Sequence, residues 1–269
     1  MKSSDPNLNS VDKVLSSDSI SLIDKITILS EALPCVQKFV GETFVIKYDS
    51  STINNDSLLS TFAQDIVLLK QSGVNPVVVY SLGDSFAEDM RKFNLEPKFV
   101  HESMIIDEPT IELMEMWLCG FANKKLVQKI NQFGGSGIGI SCKDCNLIQA
   151  KKSRRTFRDK KLSNIEKIVD VGFYGEISSV NPDILFFLEE SDFIPVISPI
   201  VAGEDGSTYY IDSDDISSAL ARAISAAKLI LLNPEQLLTS EGNMVAQIST
   251  TEANKLIEKC LYEPSLISA

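Results

Sequence analysis

Lys47 closes the short run Phe44-Val45-Ile46-Lys47, whose apolar and β-branched residues suit a buried strand. A lysine at a strand end beside an open loop is placed to reach a phosphate; the plainer alternative is a solvated cation finishing the strand. Gly83 lies in a second loop, Tyr80-Ser81-Leu82-Gly83-Asp84, which follows the run Pro76–Tyr80. Open α/β sheets bind ligands at the carboxyl ends of their strands, so these two loops are the first place to look for a site. Asp214 stands in Asp212-Ser213-Asp214-Asp215 ahead of an amphipathic helix, where a carboxylate serves as a cap. The chain has one histidine, His101, and any Ser-His-Asp or Cys-His centre would have to use it. Its neighbours Val100, Glu102 and Ser103 form no nucleophile motif, which favours a surface or loop histidine. Cys142-Lys143-Asp144-Cys145 supplies half of a tetrahedral zinc site, so zinc would require two chains to share it. No metal site is expected from these residues.

The elements that must position the two loops read as a βαβ unit. Phe62, Ile66 and Leu69 fall at helical spacing in Ser60–Ser72, and Gly73 ends that helix. Pro76-Val77-Val78-Val79-Tyr80 shows almost no alternation, as in a strand covered on both faces. Upstream, Ile20, Leu22, Ile23, Ile26, Leu29, Leu33 and Val36 recur at three and four, which predicts an amphipathic helix over Ser19–Phe39 containing Pro34. Downstream, helices are expected over Phe86–Phe93, Pro109–Leu118, Asn123–Phe133, Ile184–Glu190, Ile216–Ala227 and Thr250–Cys260. Strands are expected at Ile138–Ser141, Ile194–Ile200, Tyr209–Ile211 and Leu229–Leu232. Ser249 and Glu252 have the spacing of a capping box. The basic run from Lys151 to Lys161 reads as a solvated hairpin loop.

With 269 residues, 44% hydrophobic and 23% charged, the chain can bury a sizeable core. A net charge of −12 argues against nucleic acid or an anionic membrane as partner, since both select basic surfaces. No apolar run is long enough to span a bilayer, and Met1–Pro6 lacks the apolar core of a secretory signal. Five cysteines without a regular framework suit a reducing compartment, so a cytoplasmic location is expected.

The uninterrupted stretch from Phe62-Ala63-Gln64-Asp65 through Ser72-Gly73-Val74-Asn75-Pro76 to Val79 resembles the acetylglutamate kinases of the amino-acid kinase family. Asp170–Glu176, Val180-Asn181-Pro182, Ile194–Ile200, Gly203-Glu204-Asp205-Gly206 and Thr208-Tyr209 are similar to that family as well. The resemblance implies an α/β fold with an open, mostly parallel sheet sandwiched between helix layers. It divides the chain into an N-terminal segment and helix (1–39), an amino-acid-substrate lobe (40–227) and an incomplete nucleotide-binding lobe (228–269). It also implies ATP-dependent phosphorylation of the side-chain carboxylate of N-acetyl-L-glutamate in arginine biosynthesis, with MgATP as co-substrate. The nucleophile is already an anion, so the protein must hold two anions in line and neutralise the transferring oxygens.

In the resemblance Lys47 takes the place of a catalytic lysine, Asp214 of the aspartate that orients it, and Gly83 of a phosphate-loop glycine. Other positions depart from the pattern. Asp49 and Ser50 replace two glycines, and the acidic Asp49 is expected to weaken nucleotide binding. Leu82 replaces a glycine, and Asp84 adds a further acid. Met104 replaces the arginine that clamps the substrate's α-carboxylate, a loss of roughly 2–5 kcal/mol. Tyr210 replaces an asparagine that bonds the substrate. Cys142 and Cys145 replace turn glycines. Asn233–Leu238 lacks the family's Thr-Asp pair, and the second catalytic lysine is expected beyond Ala269. Two readings stay open: an acetylglutamate kinase, or a degenerate non-catalytic relative acting as a partner or regulatory subunit or binding another small molecule; because both phosphate loops, the arginine clamp and the second lysine are altered together, impaired or absent kinase activity is expected. A homo-oligomer is expected, a dimer through the helices of the first lobe, or a hexamer if the Ser19–Phe39 helix joins dimers.

Overall fold

The computed structural model describes residues 21–49, 53–83, 86–100, 103–153, 155–158, 166–232 and 247–255. The chain divides into two compact units, 1–231 and 232–269. The first unit carries the expected βαβ element. Strand β1 (Thr43–Tyr48) runs parallel to β2 (Asn75–Tyr80), in register from Thr43↔Asn75 to Tyr48↔Tyr80. Between them the helix Asp56–Gln71 starts where Asn55 accepts hydrogen bonds from the backbone N–H groups of Ser57 and Leu58, at 3.1 and 3.2 Å. It ends in a Schellman motif: Gly73 adopts φ +89°, its N–H reaches Lys70 O, and the Val74 N–H reaches Leu69 O.

A five-stranded sheet is built on this unit, in the order β13 (Lys228–Leu231), β1, β2, β10 (Ile194–Ser198), β5 (Gly137–Ser141), and every pairing is parallel. Its inner strands β1, β2 and β10 are largely apolar on both faces because each face is covered. Phe44, Ile46, Tyr48, Val78, Tyr80 and Val196 pack on the side of the Asp56–Gln71 and Asn123–Gln132 helices. Val45, Val77, Val79 and Ile197 pack with Leu185, Ile216 and Leu220 on the other. This is the expected α/β architecture, a mostly parallel sheet between helices.

Two details differ from the sequence reading. The apolar run at 194–200 splits at Pro199: β10 joins the main sheet, while β11 (Ile200–Gly203) joins a four-stranded sheet ordered β12-β11-β6-β9 (Thr208–Tyr210, Ile200–Gly203, Ile148–Lys152, Gly175–Val180). Pro199, which donates no ladder hydrogen bond, stands at the break, and the run serves two sheets. The helices expected at Pro109–Leu118 and Asn123–Phe133 are joined: α-helix Glu108–Glu115, a π-helical turn Met116–Ala122 and α-helix Asn123–Gln132 follow without a break.

The N-terminal helix spans Leu22–Gln37, with Pro34 inside it. Arg155–Arg158 and Glu166–Val169 form an antiparallel ribbon at the basic run; Arg154 and 159–165 lie outside the described residues. Within the second unit the Ser249–Glu252 capping box is formed. The Glu252 N–H donates to Ser249 Oγ at 3.2 Å, and the Ser249 N–H returns to the Glu252 carboxylate at 2.9 Å. No helix of the described residues is long and apolar enough to cross a membrane.

Gly172 bridges to Ile106 at φ +83°, and a Cβ there would lie 1.9 Å from the Ile106 carbonyl oxygen. At Gly134, φ +85°, a Cβ would meet nothing within 4 Å. Gly172→Ala is therefore expected to lose more than about 2 kcal/mol, and Gly134→Ala only about 1 kcal/mol, the conformational term alone. Urea unfolding checks the ranking; equal losses would show that the segment around Ile106 yields.

Candidate active site

The parallel register brings the ends of β1 and β2 level, and their loops leave the sheet side by side. The Ser81 N–H donates to the Tyr48 carbonyl at 3.0 Å, and the Ser81 hydroxyl lies 3.3 Å from Asp49 Oδ1. Two side chains at positions where the resembling family has glycine are thus bonded to each other across the loops. Leu82 packs against the core below, and Gly83 is buried, its carbonyl accepting the Phe86 N–H at 3.0 Å. Ser50, Asp84, His101, Glu102 and 233–246 lie outside the described residues.

Lys47 is the residue before the end of β1. Strand alternation turns it to the face of Val45, where the helix α7 (Ser213–Ala223) docks through Ile216 and Leu220. Its Nζ lies 2.9 Å from Asp214 Oδ1; the lysine side chain is 10% exposed and the aspartate 58%. The N-cap of α7 is Asp212, so Asp214 sits inside the first turn, where the helix dipole favours an anion. Asp214 therefore does not occupy the N-cap position, and its carboxylate meets Lys47. A primary cation at the carboxyl edge of a parallel sheet suits an anionic oxygen.

Three further segments are stitched together by isolated bridges. Ile106 bridges Gly172, and Tyr174 bridges Tyr210. Tyr210 is buried, its ring edge-on to Tyr174 with centroids 5.7 Å apart, and lies on the connection that delivers Asp214. Met104 sits on a two-residue strand opposite Phe99 and packs its half-buried side chain against the core. Neither side chain brings a charge.

Cys142 is fully enclosed, and burial raises its thiol pKa far above the ordinary value, whereas Cys145 is exposed at φ 53°. Cys145 therefore adopts the left-handed turn conformation that a glycine would, and Cys142 does not.

Sequence reasoning missed the links under the β2 end. Tyr80 is fully buried, and its hydroxyl donates to the Leu118 carbonyl in the π-helical turn at 2.5 Å. Burial pushes its phenol pKa well above the usual value, so it stays a neutral donor. Asn123, at the end of that turn, donates to Val196 O at 2.9 Å. An asparagine inside an apolar helix pattern was the one available signal.

With this geometry in place, the family model described as the amino acid kinase family matches residues 42–264. The chain belongs to the amino acid kinase family. It is 46% identical over 241 residues to the acetylglutamate kinase of Ehrlichia canis (strain Jake), covering 89% of this chain and 75% of that protein. It is 41% identical over 231 residues to the acetylglutamate kinase of Stutzerimonas stutzeri (strain A1501), covering 86% and 77%. Among solved structures, N-acetylglutamate synthase from Neisseria gonorrhoeae, complexed with coenzyme A and N-acetyl-glutamate, superposes with a TM-score of 0.70 at 19% identity. That match covers 87% of this chain and 51% of the synthase, about half its length. Giardia carbamate kinase superposes at a TM-score of 0.56 and 12% identity, covering 82% and 84%. At these identities the structures speak for the fold alone.

The unequal exposure of the ion pair has a consequence for stability. Asp214→Ala withdraws the carboxylate from an enclosed cation and is expected to lose about 1–3 kcal/mol. Lys47→Met leaves a carboxylate that water already reaches, and should change stability by less than about 1 kcal/mol. Urea titrations of both variants decide; the reverse order would mean that Lys47 does not depend on Asp214.

Proposed function

We propose that the chain transfers the γ-phosphoryl group of ATP to the side-chain carboxylate of N-acetyl-L-glutamate. A carboxylate oxygen forms a bond to Pγ, the bond from Pγ to the bridging oxygen of ADP breaks, and the products are an acyl phosphate and ADP. No proton moves at the nucleophile, so no general base is required. Lys47 neutralises charge on the transferring oxygens, and Asp214 holds its ammonium in line. Magnesium enters with the nucleotide, as a counter-ion to its phosphates. The observation that carries this reading is the 2.9 Å Lys47–Asp214 pair at the strand ends of a chain 46% identical to an acetylglutamate kinase.

Met104 and Tyr210 then define a substrate wall without a guanidinium, so the α-carboxylate is gripped weakly and a high KM for acetylglutamate follows. Nothing in the fold or in the relatives favours the non-catalytic alternative over this reading. A hydroxamate assay with MgATP should detect acyl phosphate from the unaltered protein and at least a 100-fold loss, about 2.7 kcal/mol, in Lys47→Ala. Met104→Arg should lower the KM for acetylglutamate about tenfold or more. Absence of product from both the unaltered protein and Met104→Arg would refute the assignment.

The same reading includes a homo-oligomer, a dimer through helices of the first lobe. Phe93, Met116 and Phe121 are 60%, 62% and 51% exposed around a cavity of about 370 Å³ floored by Leu113 and Trp117. Aromatic side chains on such a rim are typical of contact surfaces. Sedimentation should give a dimer or larger species that Phe121→Glu dissociates. If deletion of residues 1–37 leaves a hexamer intact, the N-terminal helix is not what joins dimers.

A further inference from the structure

The π-helical turn Met116–Ala122 is bound to the strand ends at two points, and Asn123 just after it adds a third contact within β10. Tyr80, the last residue of β2, donates its hydroxyl to Leu118 O at 2.5 Å. Cys119 Sγ lies 3.0 Å from Ser198 Oγ, at the end of β10. Asn123 Nδ2 donates to Val196 O at 2.9 Å. The Leu118 carbonyl also accepts the Asn123 N–H, an i→i+5 bond of the kind that makes a π turn. In an α-helix residues five apart point about 140° away from each other. The wider turn brings Leu118 O, Cys119 and Asn123 to the sheet together. It is also the only π segment among the described residues.

We propose that Tyr80 is a positioning residue: its hydroxyl, fixed on the Leu118 carbonyl, sets the height of the Ser81–Gly83 loop above the sheet. The inference rests on the phosphotransferase reading for its kinetic consequence, because that loop and Lys47 would face the same phosphate. Removing the hydroxyl leaves the Leu118 carbonyl its bond from Asn123, so the helix keeps its turn. The ring still fills its place in the core. What is lost is the tie between the turn and the residue that opens the loop.

Tyr80→Phe tests this with two readouts. In the acyl phosphate assay kcat should fall about tenfold or more, through misplaced phosphate, while the KM for acetylglutamate stays within about threefold. In amide hydrogen exchange without substrate, the peptide carrying residues 81–83 should exchange at least about tenfold faster, with β13 and β1 unchanged. A purely structural role would lower the melting temperature and speed exchange across the whole sheet, leaving kcat intact at the assay temperature. An active parent protein whose kcat is unmoved by Tyr80→Phe overturns the proposal. If the parent transfers no phosphoryl group, the phosphotransferase reading falls, and exchange alone decides: unchanged protection at 81–83 overturns the tie. Should Tyr80→Phe not fold, Cys119→Ala loosens the same turn without touching Tyr80. Faster exchange at 81–83 in that variant supports the proposal, and unchanged exchange overturns it.

Discussion

An ammonium group enclosed at the end of a buried strand demands an anion beside it, and most of this architecture serves that one requirement. Removing a cation from water costs several kcal/mol unless a partner restores the interaction. Lys47 is 10% exposed, and Asp214 meets it at 2.9 Å. The partner comes from a helix far along the chain, so the pair exists only because β1, β13 and α7 share a face. Ile216 and Leu220 seat α7 against Val45, Val77 and Val79, and that seating fixes where Asp214 points. The apolar packing and the charged pair are therefore one device: the first places the second.

The loops at the strand ends carry side chains at positions where the resembling family has glycines. Glycines let a backbone approach an anion closely. Here Asp49 and Ser81 instead bond across the gap at 3.3 Å, and the Ser81 N–H holds the Tyr48 carbonyl. The two loops are thereby linked to each other. On the proposed function, phosphate recognition falls more heavily on Lys47, and the uncharged Met104 and Tyr210 shift substrate recognition from a charge-assisted grip to shape and apolar contact.

Local chemistry was legible in the sequence; long-range contact was not. The helix before β2 was readable because Gly73 supplies a left-handed turn and Phe62, Ile66 and Leu69 keep the helical period. The Ser249–Glu252 box was readable for the same reason, since both partners lie within one turn. Lys47 and Asp214 were named from a family resemblance, and their contact needed the fold. Asp212, not Asp214, occupies the N-cap position of α7, a choice that four consecutive polar residues leave open. The π turn at Met116–Ala122 and the Asn123 that follows it bond to Tyr80, Ser198 and Val196, from two other strands, and no periodicity within the helix encodes those contacts. The division of the 194–200 run between two sheets likewise depends on what lies on either side of Pro199.

The central claim is that Lys47, held by Asp214, is where the transferring phosphate is neutralised. A crystal structure with MgADP, aluminium fluoride and N-acetyl-L-glutamate tests it directly. The expected result is a planar or square fluoride group within hydrogen-bond distance of Lys47 Nζ, with the substrate carboxylate and the ADP β-phosphate on opposite sides. A fluoride group bound elsewhere, with the Lys47–Asp214 pair untouched, would contradict it.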